Sequence, residues 1–239
     1  MVGAEHMRVY CSAEAHSSVE KAVKIAGIGR ENLVKIATDE AFRMKPELLR
    51  EAIAADIRNG LKPVCVVAAL GSTGSTAVDP IGAIGDICQE FGIWFHVDAA
   101  FSGNAMILPE FQWMLKGVEK ADSFVFNPHK WMFTNFDCSA YFVKDSESLV
   151  NTFKLVPEYL KSQIPEHVND YSNWGIQLGR RFRALKLWFV IRSFGTEGLQ
   201  DKIRKHIALA AELKSWIENH PSFELLAPVD FSLVCFRFH

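Results

Sequence analysis

The apolar positions of the chain change rhythm at regular intervals. Residues 8–11 (RVYC) predict a short strand. Val19, Ala22, Val23 and Ile25 then recur at helical spacing up to Gly27. Residues 33–37 (LVKIA) predict a second strand. Pro46 suits the first turn of a helix that buries Leu48, Leu49, Ile53 and Ile57 and closes at Gly60. The continuous apolar run 63–70 (PVCVVAAL) predicts a strand covered on both faces. Asp79-Pro80 opens a helix carrying Ile81, Ile84, Ile87, Cys88 and Phe91, ended by Gly92. Residues 93–99, 123–126 and 139–143 predict three more strands, the last after a very short connection.

Strands joined through helices imply right-handed crossovers and a mainly parallel sheet. In such α/β sheets ligands sit at the carboxyl ends of the strands. In this chain those ends hold His16, Thr73, Asp98 and the run from Asn127 to Lys130. Asp98 and Lys130 close successive strands. Neighbouring strands lie ~4.8 Å apart, so both groups can flank one ring-sized ligand.

After Val143 the pattern changes. The stretch 153–171 has two prolines, mixed charge and no sustained period, and its length favours a functional lid over a passive connector. Residues 180–194 and 196–219 predict two helices, and 223–226 and 232–238 predict two strands. The expected organisation is a large domain over residues 1–185 and the beginning of a small α+β domain over 186–239.

Composition narrows the class. The chain has 239 residues, 49% hydrophobic and 23% charged, with a formal net charge of −2. That balance excludes a disordered or collagen-like chain, and no basic stripe points to nucleic acid or a membrane surface. The cysteines are Cys11, Cys65, Cys88, Cys138 and Cys235. Their odd number and the lack of a Cys-x-x-Cys pair argue against a disulfide framework and for a reducing, cytoplasmic setting. No apolar run reaches the ~18 residues a membrane span needs.

Each candidate residue also has an ordinary explanation. Lys130 beside Trp131 could be a nucleophilic amine or a surface lysine with a snorkelling stem. Asp98, among small residues, could hold a protonated ring nitrogen or simply accept backbone hydrogen bonds. His16 could stack on a ring or cap the helix that follows it. Thr73, in a Gly-Ser-Thr-Gly turn, could touch a cofactor or only shape the turn. His96 and Asp98 share one strand face, so a metal hydrolase using His96, Asp98 and His129 is a further option, short of an obvious third ligand.

Together the runs Ala15-His16-Ser17-Ser18, Leu70-Gly71-Ser72-Thr73-Gly74, His96-Val97-Asp98-Ala99-Ala100, Asn127-Pro128-His129-Lys130-Trp131 and Leu178-Gly179-Arg180-Arg181 resemble the group II pyridoxal-phosphate-dependent amino-acid decarboxylases, in the aromatic-L-amino-acid branch. The resemblance covers nearly the whole chain. It implies an aspartate-aminotransferase-like fold and pyridoxal 5'-phosphate bound covalently to Lys130. It also implies that Asp98 pairs with the ring nitrogen, His16 and Ala100 pack on opposite ring faces, and Thr73 lies close by. Asn127 and His129 would help hold the phosphate, and Gly179 would reach a partner subunit's phosphate site in a homodimer. Tyr159 matches the family's loop tyrosine, whose phenol can protonate the substrate carbon and so favours an amine over an aldehyde. The ordinary reading of Tyr159 is an aromatic anchor for its loop.

Members of that family are about twice this length. The resemblance implies that parts of the substrate pocket and of the phosphate site belong to a segment before Met1. The isolated chain is therefore expected to bind cofactor weakly. The competing readings are an aromatic aldehyde synthase and a catalytically silent fragment that acts as a binding or assembly partner.

Overall fold

The computed structural model describes residues 3–155 and 169–239. Its centre is a six-stranded sheet ordered β2-β1-β3-β4-β5-β6, made by β1 (Met7–Ser12), β2 (Leu33–Ile36), β3 (Lys62–Ala69), β4 (Trp94–Asp98), β5 (Ser123–Phe126) and β6 (Ala140–Val143). The first five strands are parallel, and β6 returns antiparallel beside β5. The connection 127–139 holds only a single helical turn over Pro128–Trp131 and folds back on itself, so it returns the chain beside β5 instead of crossing the sheet.

Three helices lie between the parallel strands: α1 (Ser17–Ile25), α2 (Pro46–Arg58) and α3 (Ile81–Phe91). Pro46 occupies the start of α2, where a missing N–H costs nothing. Gly92 ends α3 in the left-handed conformation (φ 65°), and the Ile93 N–H then bonds back to the Cys88 carbonyl. The main core lies on the face covered by α2 and α3, where Leu49, Ile53 and Ile84 meet Tyr10, Val66 and Phe95. Ile57, expected in this core, is 46% exposed because it sits in the last turn of α2, past the covered stripe.

The C-terminal part begins with α6 (Arg183–Glu218). The two helices expected here form one element interrupted at Gly195, whose φ of 64° and ψ of −179° are not helical. The expected domain boundary at 185 falls in the first turn of α6. Ile203 packs with Phe231, Leu108 and Trp131 in a second core, and Gln200 donates to the Ile107 carbonyl at 2.7 Å. The chain closes with the antiparallel pair β7 (Phe223–Leu225) and β8 (Phe236–Phe238). The expected strand 232–238 is paired only in its last three residues. Between the described strands lie two short helices, α4 (Pro128–Trp131) and α5 (Ser146–Phe153). The run of tight turns over 102–120 carries no sustained helical period, whereas α5 carries a short one in Leu149, Val150 and Phe153 that sequence reading passes over.

Candidate active site

The strand period of two splits each central strand between two environments. On β4, Phe95 and Val97 are fully buried in the core, while His96 and Asp98 face a cavity of about 930 Å³ on the other side. On β3, Val66 and Ala68 enter the core while Cys65, Val67 and Ala69 line the cavity. Val125 of β5 joins that wall, and α1 adds an apolar side through Val19, Ala22 and Val23.

The cavity gathers six of the nine expected site residues: His16, Thr73, Asp98, Ala100, Asn127 and Lys130. A continuous hydrogen-bond path joins four of them. Asp98 Oδ1 accepts from the Ala100 N–H at 3.0 Å. The Ala100 carbonyl accepts from Asn127 N–H at 3.1 Å, and the Asn127 carbonyl from Lys130 N–H at 2.9 Å. The path crosses from the end of β4 to the end of β5, whose register pairs Asp98 with Val125. The backbones of Asp98 and Lys130 are thus held on one frame at the wall of the cavity.

His16 caps the helix that follows it and also borders the cavity. Its Nδ1 accepts from the Ser18 N–H at 3.1 Å. Thr73 sits on a closed turn: Gly71 and Ser72 N–H both donate to the Ala77 carbonyl, and the Ser72 and Ser75 hydroxyls lie 2.8 Å apart. Gly71 has φ 88°, and a Cβ there would come within 1.9 Å of Ser102 Oγ. The turn therefore requires glycine on two counts.

Two expected residues stand elsewhere. His129 does not line the cavity; its Nδ1 sits against the Cys138 backbone, 2.7 Å from the carbonyl oxygen and 2.9 Å from the nitrogen, and the tautomer sets which of the two it bonds. Gly179 lies in an exposed stretch, with no atom near where a Cβ would point, and is not part of the cavity wall. Tyr159 lies outside the described residues. The metal reading loses its third ligand with His129, and no group of three potential ligands converges among the described residues. Sequence reading passed over Phe101 and Thr76, and over Ser232 and Leu233, which reach the wall from the C-terminal part. Only their place in the fold reveals them.

His96 is held below its usual pKa, chiefly by burial and against the opposing pull of Asp98, so it is neutral at pH 7. Its Nδ1 lies 2.8 Å from Ser123 Oγ, which also accepts from the Trp94 indole at 2.9 Å. The cavity floor thus presents one carboxylate beside a neutral ring. Asn127 Oδ1 is buried without a hydrogen-bond partner in the chain, an acceptor suited to a donor on a bound group.

Residues 4–239 match the family described as the pyridoxal-dependent decarboxylase conserved domain. The chain belongs to that family. It is 50% identical over 228 residues to an aromatic-L-amino-acid decarboxylase of Manduca sexta, covering 95% of this chain and 44% of the relative. It is 48% identical over 237 residues to a phenylacetaldehyde synthase of Arabidopsis thaliana, covering 98% of this chain and 48% of that relative. Among solved structures, the Oryza sativa protein titled TDC with PLP and tryptamine matches all of this chain and 49% of its own, with a TM-score of 0.96 and 40% identity. The chain spans about half the length of these relatives. The site residues fit the family's cofactor, pyridoxal phosphate. The cavity wall carries a carboxylate suited to a protonated ring nitrogen, an amine suited to an aldehyde, and one buried carbonyl acceptor, Asn127 Oδ1, without a partner.

Proposed function

We propose that this protein removes CO₂ from an aromatic L-amino acid with pyridoxal phosphate and releases the corresponding amine. The observation that carries this reading is the hydrogen-bonded frame from Asp98 through Ala100 and Asn127 to Lys130, which aims an anion and an amine into one cavity. When bound, the cofactor supplies a sink for the electron pair left on Cα as CO₂ departs. Asp98 holds positive charge at the ring nitrogen, which sets the depth of that sink. The Lys130 amine anchors the aldehyde carbon and is available to take or return a proton near Cα. His16 covers one side of the ring and Ala100 leaves room on the other. Asn127 offers its side-chain amide to the phosphate. Asp98, Lys130 and the backbone N–H groups around them hold position before substrate arrives, so little reorganisation is needed during reaction.

The aromatic side chain is inferred from the Asn127-to-Trp131 run and from the named relatives. It is also supported by the cavity wall. Among the described residues lining it there is no arginine, so the second carboxylate of an acidic substrate meets no cation apart from Lys130. Tyr159 favours the amine, because a phenol can deliver a proton to Cα. The relative named phenylacetaldehyde synthase favours the second reading, in which O₂ and water are consumed and aldehyde, ammonia and peroxide leave with CO₂. A homodimer, with a residue such as Gly179 serving the neighbouring site, belongs to the same proposal, as does a cytoplasmic setting. No helix among the described residues is long and apolar enough to cross a membrane.

The test is borohydride reduction with pyridoxal phosphate, followed by mass spectrometry and product analysis on a panel of aromatic amino acids. The expected result is label on Lys130, lost in Lys130→Ala, with amine as product and a shift toward aldehyde in Tyr159→Phe. Label absent from Lys130 would sink the proposal. Stoichiometric peroxide from the unaltered chain would replace it with the aldehyde synthase reading.

A further inference from the structure

The peptide that carries Lys130 is short, since α4 spans only Pro128–Trp131, and its register must be held by its flanks. On one flank, His129 Nδ1 is held against the Cys138 backbone, 2.7 Å from its carbonyl oxygen and 2.9 Å from its nitrogen. On the other, Trp131 is 3% exposed and stacks on Phe101, with ring centroids 4.8 Å apart and planes within 3°. Phe101 lines the cavity. The Trp131 indole N–H donates to His206 Nδ1 at 3.1 Å, and His206 belongs to α6, more than seventy positions along the chain. His206 also stands edge-on to Phe133, at 5.5 Å between centroids.

An indole nitrogen can only donate, so His206 Nδ1 carries a lone pair and the ring proton sits on Nε2. The imidazole is exposed to solvent along α6 while this one nitrogen turns inward to a buried aromatic stack. The interaction orients the indole, and the indole is the residue next to Lys130. We propose that His206 is a positioning residue for Lys130, acting through Trp131, so that docking of the C-terminal helix sets the aim of the amine in the large-domain cavity. The importance of that aim for catalysis rests on the proposed function above; the mechanical link does not.

Asn and Leu give a matched pair at position 206. Both branch at the same place, but only Asn puts an acceptor where Nδ1 stands. Amide hydrogen exchange of the 128–134 segment reads the link without cofactor, with the β3 amides of Val66 and Ala68 as the control for global stability. One hydrogen bond is worth about 1 kcal/mol, so His206→Leu should speed exchange of the segment by about fivefold. His206→Asn should stay within about twofold of the parent. Trp131→Phe removes the donor together with part of a buried ring, so it should speed exchange at least as much as His206→Leu, and adding His206→Leu to it should give no further increase. Borohydride capture of pyridoxal phosphate on Lys130 should slow in the same order. Equal exchange in Leu and Asn, equal acceleration in β3, or additive effects in the double variant would each overturn the proposal. If the unaltered chain captures no cofactor, the proposed reaction fails, and the exchange series still decides the role of His206.

Discussion

The two faces of the central sheet are built from the same strands and serve opposite ends. On the α2 and α3 side, Phe95, Val97, Val66 and Ala68 are all completely buried within the main apolar core. One residue away on each strand, His96, Asp98, Val67 and Ala69 border a cavity. The first face contributes stability and admits a polar group only where it is paired, as the Tyr10 hydroxyl is with Asp56; the second carries the Asp98 carboxylate beside the cavity. The comparison shows why β3, apolar from Pro63 to Ala69, and the mixed β4 can lie side by side. The core face demands the same chemistry of both, and only the other face is free to differ.

Substitutions on the two faces should therefore separate stability from activity. Phe95→Ala on the core face should cost about 3–5 kcal/mol, through lost burial and the cavity left behind. Urea unfolding measures this, and in the cold, where the variant stays folded, borohydride capture on Lys130 should persist. A loss under 1 kcal/mol would mean that the face is not the sealed core described. Asp98→Asn on the cavity face should do the reverse. The amide oxygen can still accept from Ala100 N–H, so stability should stay within about 1 kcal/mol of the parent. Turnover should fall by about 10²–10³-fold, because a neutral amide no longer holds charge at the ring nitrogen. Near-normal turnover would remove Asp98 from the role assigned to it.

Much of this division was legible in the sequence. The strand over 123–126 lies where its apolar run ends, and the residues after β4 and β5 converge as the parallel pattern requires. Gly195 breaks the long C-terminal helix where the sequence places a break. What escaped detection has no local signature. The imidazole of His129 serves the Cys138 backbone because a turn nine residues on folds back to it. Ser232 and Leu233 look like strand residues, yet they leave the β7–β8 pairing and reach the cavity. Asp79 reads as the opener of a helix, whereas its side chain does something that only the tertiary structure can show.

Asp79 is the joint between the two faces. One carboxylate oxygen accepts from the Met44 N–H of the core at 2.7 Å, and the other from the Ala69 N–H of the cavity wall at 2.8 Å. Its own N–H donates to the Ala69 carbonyl at 2.9 Å, closing the root of the Gly71–Thr76 turn. Burial raises its carboxyl to about 6, against the two N–H bonds that favour the anion. A folded-state value above the unfolded one of 3.8 makes the neutral form the stabilised one. This contribution is complete below about pH 4 and is lost as the pH rises through about 6. Between those limits the group should lower stability by on the order of 2–3 kcal/mol, seen as a falling urea midpoint. Asp79→Asn should abolish that slope. It should also leave one backbone N–H facing an amide NH₂, at a cost of about 1–3 kcal/mol at pH 4. If the parent's stability instead rises across this window by an amount that Asp79→Asn removes, the two N–H bonds outweigh burial. The joint would then be an anion fixed by backbone donors, gaining strength as it ionises.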